Sequence, residues 1–287
     1  MSSDIKYQFE VDLADPNNAH SVLHRLVCEG GSTSMSILEV GCSSGYVGAT
    51  FVKKGHRVIG IEPDPAAAEA ARAVLHEVHC EGITDFLGRA PLHQYDAILF
   101  GDVLEHLPDP ADTLRQCRAL LAPDGVIAAS VPCATHGSIR AMLLEGRWDY
   151  GDYGLLDRTH LRFFSRSGVQ ELFASARMQL ARMVALVQPI DTVARAYGMA
   201  LRQESIAAVE AFAGDADLMT FQFVAVARPV ADAPFAELLA RNQAVTVEPA
   251  IPRPRIPGER SGSQRLRKWL LRRLVAGMAR RRFRAAD

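Results

Sequence analysis

Apolar residues along this chain alternate between short continuous runs and stretches of helical spacing. SILEV (36–40), RVIGI (57–61), EVHC (77–80), YDAILF (95–100) and GVIAASV (125–131) are brief, β-branched and apolar at consecutive positions. That is the pattern of strands buried on both faces of a parallel sheet. Between them the period changes. YVGATFVKKG (46–55) closes on Gly55, a helix C-terminal signal. DPAAAEAARAVLH (64–76) is alanine-rich, with Pro65 at an acceptable first-turn position. DPADTLRQCRALLAPDG (109–125) starts at a proline and ends in a Pro-Asp-Gly turn. Strand and helix repeated at this spacing predict βαβ units and a doubly wound α/β sheet.

Further along, residues 134–175 mix aromatics, glycine and charge, and ARMVALVQ (181–188) and TFQFVAVARP (220–229) predict two more strands around a helical stretch at 190–213. That makes a seven-stranded, mostly parallel sheet over residues 1–230. Residues 231–263 read as a helix and a linker stiffened by Pro249, Pro252, Pro254 and Pro257. In 264–284, Leu266, Leu270, Leu274 and Met278 recur at four-residue steps opposite Arg265, Lys268, Arg272, Arg273 and Arg280. This predicts a basic amphipathic helix in the 264–287 tail, suited to an anionic membrane surface.

Charge sharpens that division. Residues 253–287 carry 12 Lys+Arg against Glu259 and Asp287, so the totals of 32 and 33 leave 20 basic and 31 acidic residues in 1–252, a formal −11. An acidic body disfavours extended nucleic-acid contact. The five cysteines show no paired spacing, which reads as a reducing compartment. With no leader pattern and no window near 18 apolar residues, the expectation is a cytoplasmic protein, peripheral at the inner membrane through its tail. No His/Cys/carboxylate spacing marks a metal site, so none is expected.

The chemistry starts at ILEVGCSSGYVG (37–48). Glu39 ends the first apolar run and Gly41 and Gly45 follow. Bare backbone beyond a strand end lets a ligand approach closely. A dinucleotide fingerprint is excluded by Ser43 and Tyr46 at its second and third glycine positions, and a phosphate loop by the missing Gly-Lys-Ser/Thr. An acid two residues before the first glycine suits a cationic ligand instead.

LEVGCSSG (38–45) resembles the first motif, (E/D)-x-G-x-G-x-G, of class I S-adenosylmethionine-dependent methyltransferases, with Ser43 in place of the middle glycine. VIGIEPD (58–64), YDAILFGDVLEHLPDP (95–110) and LLAPDGVIAASVP (120–132) resemble the family's later motifs in order. The resemblance implies a Rossmann-like fold and S-adenosylmethionine as cofactor. It implies that Glu62 grips the ribose hydroxyls, that Glu39, Gly41, Ser43 and Gly45 surround the methionine moiety, and that Gly101 and Asp102 line the same pocket. Glu81, Thr84 or Asp85 would face the adenine.

On the acceptor side, His106 in DVLEHL, His136 beyond the fifth strand and His160 lie where a general base is wanted. Either His160 or His136 is the expected base on a hydroxyl, with Asp157 as an orienter. GRWDYGDYGLLDRTHLRFFS (146–165) interleaves aromatics with charge, as a binding loop or lid does, so 134–170 is read as a substrate lid with Trp148, Tyr150, Tyr153 and Arg158 as contacts. Together with HGSIRAMLLE (136–145) before it, that stretch is similar to a bacterial subgroup associated with glycosyltransferases of surface polysaccharide assembly. The likeness implies a glycan or other small-molecule acceptor, and an N-terminal cap (1–35) bringing Tyr7 and His20 to the cofactor. Rival readings are N-methylation and a non-catalytic cofactor-binding scaffold.

Overall fold

The computed structural model describes residues 10–29, 31, 34–211, 214–231 and 233–252. Tyr7, most of the proline-rich linker and the basic run 264–284 lie outside the described residues. Among the described residues no helix is long and apolar enough to cross a membrane.

Five parallel strands form one half of the sheet: β1 (Ser36–Val40), β2 (Arg57–Ile61), β3 (Glu77–His79), β4 (Tyr95–Gly101) and β5 (Leu121–Pro132). β6 (Met178–Val187) and β7 (Thr220–Pro229) continue it antiparallel, in the order β3-β2-β1-β4-β5-β7-β6-β8. The helices are α1 (Ala19–Cys28), α2 (Gly48–Val52), α3 (Pro65–Arg72), α4 (Ile83–Leu87), α5 (Pro110–Cys117), α6 (Gly137–Leu144), α7 (Arg166–Ser175), α8 (Ile190–Ala196), α9 (Gln203–Glu210) and α10 (Phe235–Gln243).

The alternation of side chains sorts the core into two layers. Leu38, Val40, Ile98 and Phe100 face a cluster with Phe86, Leu114 and Phe173 from α4, α5 and α7. Ile37, Ala97 and Leu99 face the other way, onto Leu23 of α1 and Phe51 of α2. Strands apolar on both faces are therefore covered on both faces, as their composition requires. The Pro-Asp-Gly turn sits at the start of β5. Its pairing with β4 jumps from Tyr95–Leu121 to Ala97–Val126, so the turn bulges out of the ladder.

The expected seven strands become eight. β8 (Val247–Pro249) adds to β6 in parallel, from residues read above as linker. Asn242 anchors this extension. It is fully buried, accepts from Leu180 N–H at 2.8 Å, and donates to the carbonyls of Gln170 at 3.2 Å and Met178 at 3.1 Å. The helical stretch expected over 190–213 divides into α8 and α9, because Gly198 takes φ +63 and ends the first. At the front of the chain, Asn17 pairs with both backbone groups of Val187, and Asn18 caps α1 by accepting from His20 and Ser21 N–H. These ties carry α1 across the sheet with His20 facing its carboxyl edge.

Strand order reverses between β1 and β4, so a crevice opens beyond their carboxyl ends, where ligands of such sheets bind.

Candidate active site

That crevice is a cavity of about 830 Å³. Its donor-side wall begins in the loop after β1. Gly41 and Cys42 N–H both donate to Ile61 O, at 2.8 and 3.0 Å, which folds the loop over the tip of β2. Gly41, Ser43 and Gly45 all take positive φ, at +66, +49 and +77. For Ser43 this is the conformation a glycine would hold more cheaply. A compensating bond holds it there: Ser43 N–H donates to Glu62 Oε2 at 2.8 Å. Asp64 N–H donates to the other oxygen, Oε1, at 2.9 Å. Asp64 in turn caps α3. Glu62 is thus fixed at both oxygens by main chain, each oxygen keeping a second lone pair.

Glu39 stands one layer behind this wall. It is buried, lies off the cavity surface and accepts from Gly48 N–H, while its Oε2 has no hydrogen-bond partner. Burial, reinforced by Glu62, pushes its carboxyl up to about 8, so it stays protonated at neutral pH. A Cβ at Gly48 would come within 2.3 Å of Glu39 Oε2 and 2.7 Å of Leu75 Cδ2. Gly48→Ala is therefore expected to destabilise the fold by about 1–3 kcal/mol, the usual range for overpacking, read as a lower midpoint in urea. Gly45 also sits off the cavity, packed against Val74 and Leu75.

Of the three side chains expected near the adenine, Thr84 lies on the cavity wall, with Ile61, Pro63 and Ile83 around it. Glu81 and Asp85 do not; Glu81 pairs with Arg89 and His79.

Beyond β4 the wall turns polar. Asp102, at φ +56, accepts from Ser130 Oγ at 2.7 Å and Gln222 Nε2 at 2.9 Å. His20 Nε2 approaches its Oδ2 at 3.6 Å and has no hydrogen-bond partner. Burial holds the His20 imidazole below its ordinary value against the pull of Asp102. Next come Glu105, His106, Asp157, Thr159 and His160. The two histidine rings meet edge to face, with centroids 4.9 Å apart. Asp157 is buried and its Oδ1 accepts from Thr159 N–H and Oγ–H at 2.8 and 2.7 Å; Thr159 in turn contacts His106, and the Asp157 main-chain carbonyl accepts from His160 N–H at 3.0 Å. Among the described residues, five carboxyl groups and no lysine or arginine line the cavity, which is the electrostatics of a site for a cation.

His136 is elsewhere. It is fully buried at the start of α6, its Nδ1 accepting from Ser138 N–H at 3.1 Å and its Nε2 donating to Gln188 O at 2.9 Å. Both ring nitrogens are occupied by structure, which rules out the base role expected of it. The 146–165 segment is tied down, not free: Leu161 and Arg162 N–H donate to Glu105 O at 2.8 and 3.0 Å, and Ala134 N–H to Phe164 O at 2.8 Å. Of the expected contacts only Tyr153 reaches the cavity wall. Arg158 pairs with Asp152 in solvent. Trp148 and Tyr150 both pack against Phe163, at 5.4 and 6.5 Å, and Phe163 reaches His160 at 6.3 Å. The sequence reading misses Tyr197, Phe221 and Gln222, which close the far side. Gln222, a polar residue inside an apolar strand run, is the one that a pattern could have flagged.

Residues 14–178 match the model of the methyltransferase domain family, more than half of the chain, and the chain belongs to that family. It is an S-adenosylmethionine-dependent methyltransferase. A ubiquinone biosynthesis O-methyltransferase of Histophilus somni is 32% identical over 167 residues, covering 48% of this chain and 70% of that one. A protein of the same name from Alkalilimnicola ehrlichii is 33% identical over 108 residues, covering 36% and 44%. The fold is also that of the Burkholderia thailandensis 1,6-didemethyltoxoflavin-N1-methyltransferase solved with S-adenosylhomocysteine, at 17% identity and TM-score 0.50, over 75% of this chain and 80% of that chain.

Proposed function

We propose that this enzyme methylates a hydroxyl of a small, ring-bearing acceptor, an aromatic or a sugar. When bound, S-adenosylmethionine supplies a methyl group on a sulfonium sulfur. The residues fit that donor: five acids with no lysine or arginine among the described lining residues favour its charge, Glu62 has lone pairs left for both ribose hydroxyls, and Thr84 with Ile61 and Ile83 offers an apolar slot with one polar edge for the adenine. Gly41, Ser43, Gly101 and Asp102 would hold the amino-acid end. His20, on the helix that crosses the sheet, covers Gly101, with its ring 3.5 Å from where a Cβ would stand.

The single observation behind O-methylation is the pair His106 and His160 on the wall of the same cavity as Glu62. A hydroxyl is a poor nucleophile until it loses its proton, and this edge is where the proton would be lost. Removing it is typically worth about 10²–10⁴-fold in rate. The row of rings from Trp148 through Phe163 to His160 gives a flat acceptor faces to pack against. The curated relatives' names agree with a hydroxyl acceptor, and the likeness of 136–165 to a glycan-associated subgroup suggests sugars as well as phenols.

The test is transfer of labelled methyl to a catechol-type phenol and to a cell-envelope glycan extract, with His106→Ala and His160→Ala beside the wild type. Each substitution is expected to slow transfer at least ~10²-fold while calorimetric affinity for S-adenosylhomocysteine stays unchanged. Full rates in both variants would remove the reading.

A further inference from the structure

Along the chain, Glu105 and His106 lie 54 residues or more from His160, too far apart to read as a ligand motif. The fold brings them together: one carboxylate oxygen and one ring nitrogen from each histidine lie within 4.8 Å of one another. We propose that Glu105, His106 and His160 hold a divalent transition-metal ion of the zinc type at the acceptor end of the cavity.

Two details of hydrogen bonding point to a ligand and not to an incidental cluster. The first concerns protons. Thr159 Oγ–H donates to Asp157 Oδ1 at 2.7 Å, so at the 3.2 Å contact with His106 Nδ1 it is the acceptor, as is Thr159 O, also at 3.2 Å. His106 therefore carries its proton on Nδ1, leaving the lone pair of Nε2 free. In His160, Nδ1 is buried and has no hydrogen-bond partner. A backbone carbonyl or equivalent acceptor on the far nitrogen is the usual outer support of a metal-bound imidazole, fixing tautomer and ring angle.

The second detail is Glu105. It is 1% exposed, and its Oε2 has no hydrogen-bond partner. A buried carboxylate oxygen without a donor is costly unless a cation meets it. Among the described residues no lysine or arginine lines the cavity, and Asp102 and Asp157 stand near Glu105, deepening the demand for positive charge. The amides of Leu161 and Arg162 clamp the two ligand segments together through the Glu105 main-chain carbonyl, leaving the side chain out of the clamp.

Two imidazoles and one carboxylate with open positions on a cavity form a known donor set for catalytic zinc and for other transition ions; magnesium and calcium prefer oxygen throughout. The inference rests on the reading that an acceptor hydroxyl docks here. An ion in this place would take that oxygen into an open position and lower its pKa, the proton leaving to water.

The experiment uses the full chain, stripped with EDTA and titrated with Co(II), a coloured zinc stand-in. One equivalent should bind with a visible absorption band that Zn(II) displaces. Glu105→Gln and His160→Ala, each shown folded by circular dichroism, should weaken binding at least ~100-fold, the upper end of what even an outer-sphere partner costs. No band in the wild type, or a band of equal affinity in both variants, overturns the proposal. So does a stripped enzyme that methylates at the full rate, an outcome that leaves the methyl-transfer reading intact. Failure to bind S-adenosylhomocysteine would instead strike that earlier reading, whatever the cobalt titration gives.

Discussion

Replacing Glu62 with alanine is expected to weaken binding of S-adenosylhomocysteine by about 10²-fold or more. The carboxylate is read as accepting two ribose hydroxyls, and hydrogen bonds to a charged group contribute about 1.5–3 kcal/mol each. About 3 kcal/mol corresponds to ~10²-fold. A second loss adds to this. Ser43 N–H and Asp64 N–H both lose their acceptor, so the loop at φ +49 is no longer held against the tip of β2. Glu62→Gln separates the two effects. One amide oxygen can still serve one of the two N–H groups, so part of the affinity should return. Calorimetry on the three proteins measures this. Equal affinity in all three would show that the ribose is held elsewhere.

The second large effect is on stability in acid, and it belongs to His136. Burial, above all, holds its imidazole down to about 4. The Gln188 carbonyl pulls the other way, and Arg140 adds to the depression. The arrangement is suited to the neutral ring, because Nδ1 already accepts from Ser138 N–H and a proton there would face a donor. The unfolded chain takes up a proton near pH 6.5, and the folded chain does so only near 4. Between those values the unfolded state binds more protons, so stability rises with pH through this window and is lost as pH falls through it. From pH 7.5 to pH 5 this one group should remove about 2 kcal/mol. His136→Asn keeps an acceptor at the helix start and removes the titration. Urea unfolding at the two pH values should show the wild type losing about 2 kcal/mol more than the variant. Equal losses would mean that His136 titrates normally.

The sequence made the donor half legible because one physical feature repeats there. A strand buried on both faces is apolar at most consecutive positions, so SILEV, RVIGI and TFQFVAVARP show their limits directly, and they match β1, β2 and β7 residue for residue. The acid and glycines at such strand ends stand out against that background. The rest depended on contacts distant in sequence. β8 has three residues and ends in a proline, too little to signal a strand, and it exists because Asn242 locks α10 onto the sheet. His136 looked like an edge residue. Nothing near it tells that Gly137 packs on Ile190 and Leu218, drawing the ring inward. Glu105 carries no signal of its own in DVLEHL. Its burial comes from the strand end above it and the 157–162 segment folded across it.

Tyr197, Phe221 and Gln222 all come after residue 178, past the region shared with the methyltransferase family. The cavity wall thus joins residues inside the matched region to three beyond it, and Gln222 meets Asp102 at that seam. Selection on those three later positions could retune which molecule receives the methyl group while leaving the donor grip untouched, so relatives alike over 14–178 need not share a metabolite.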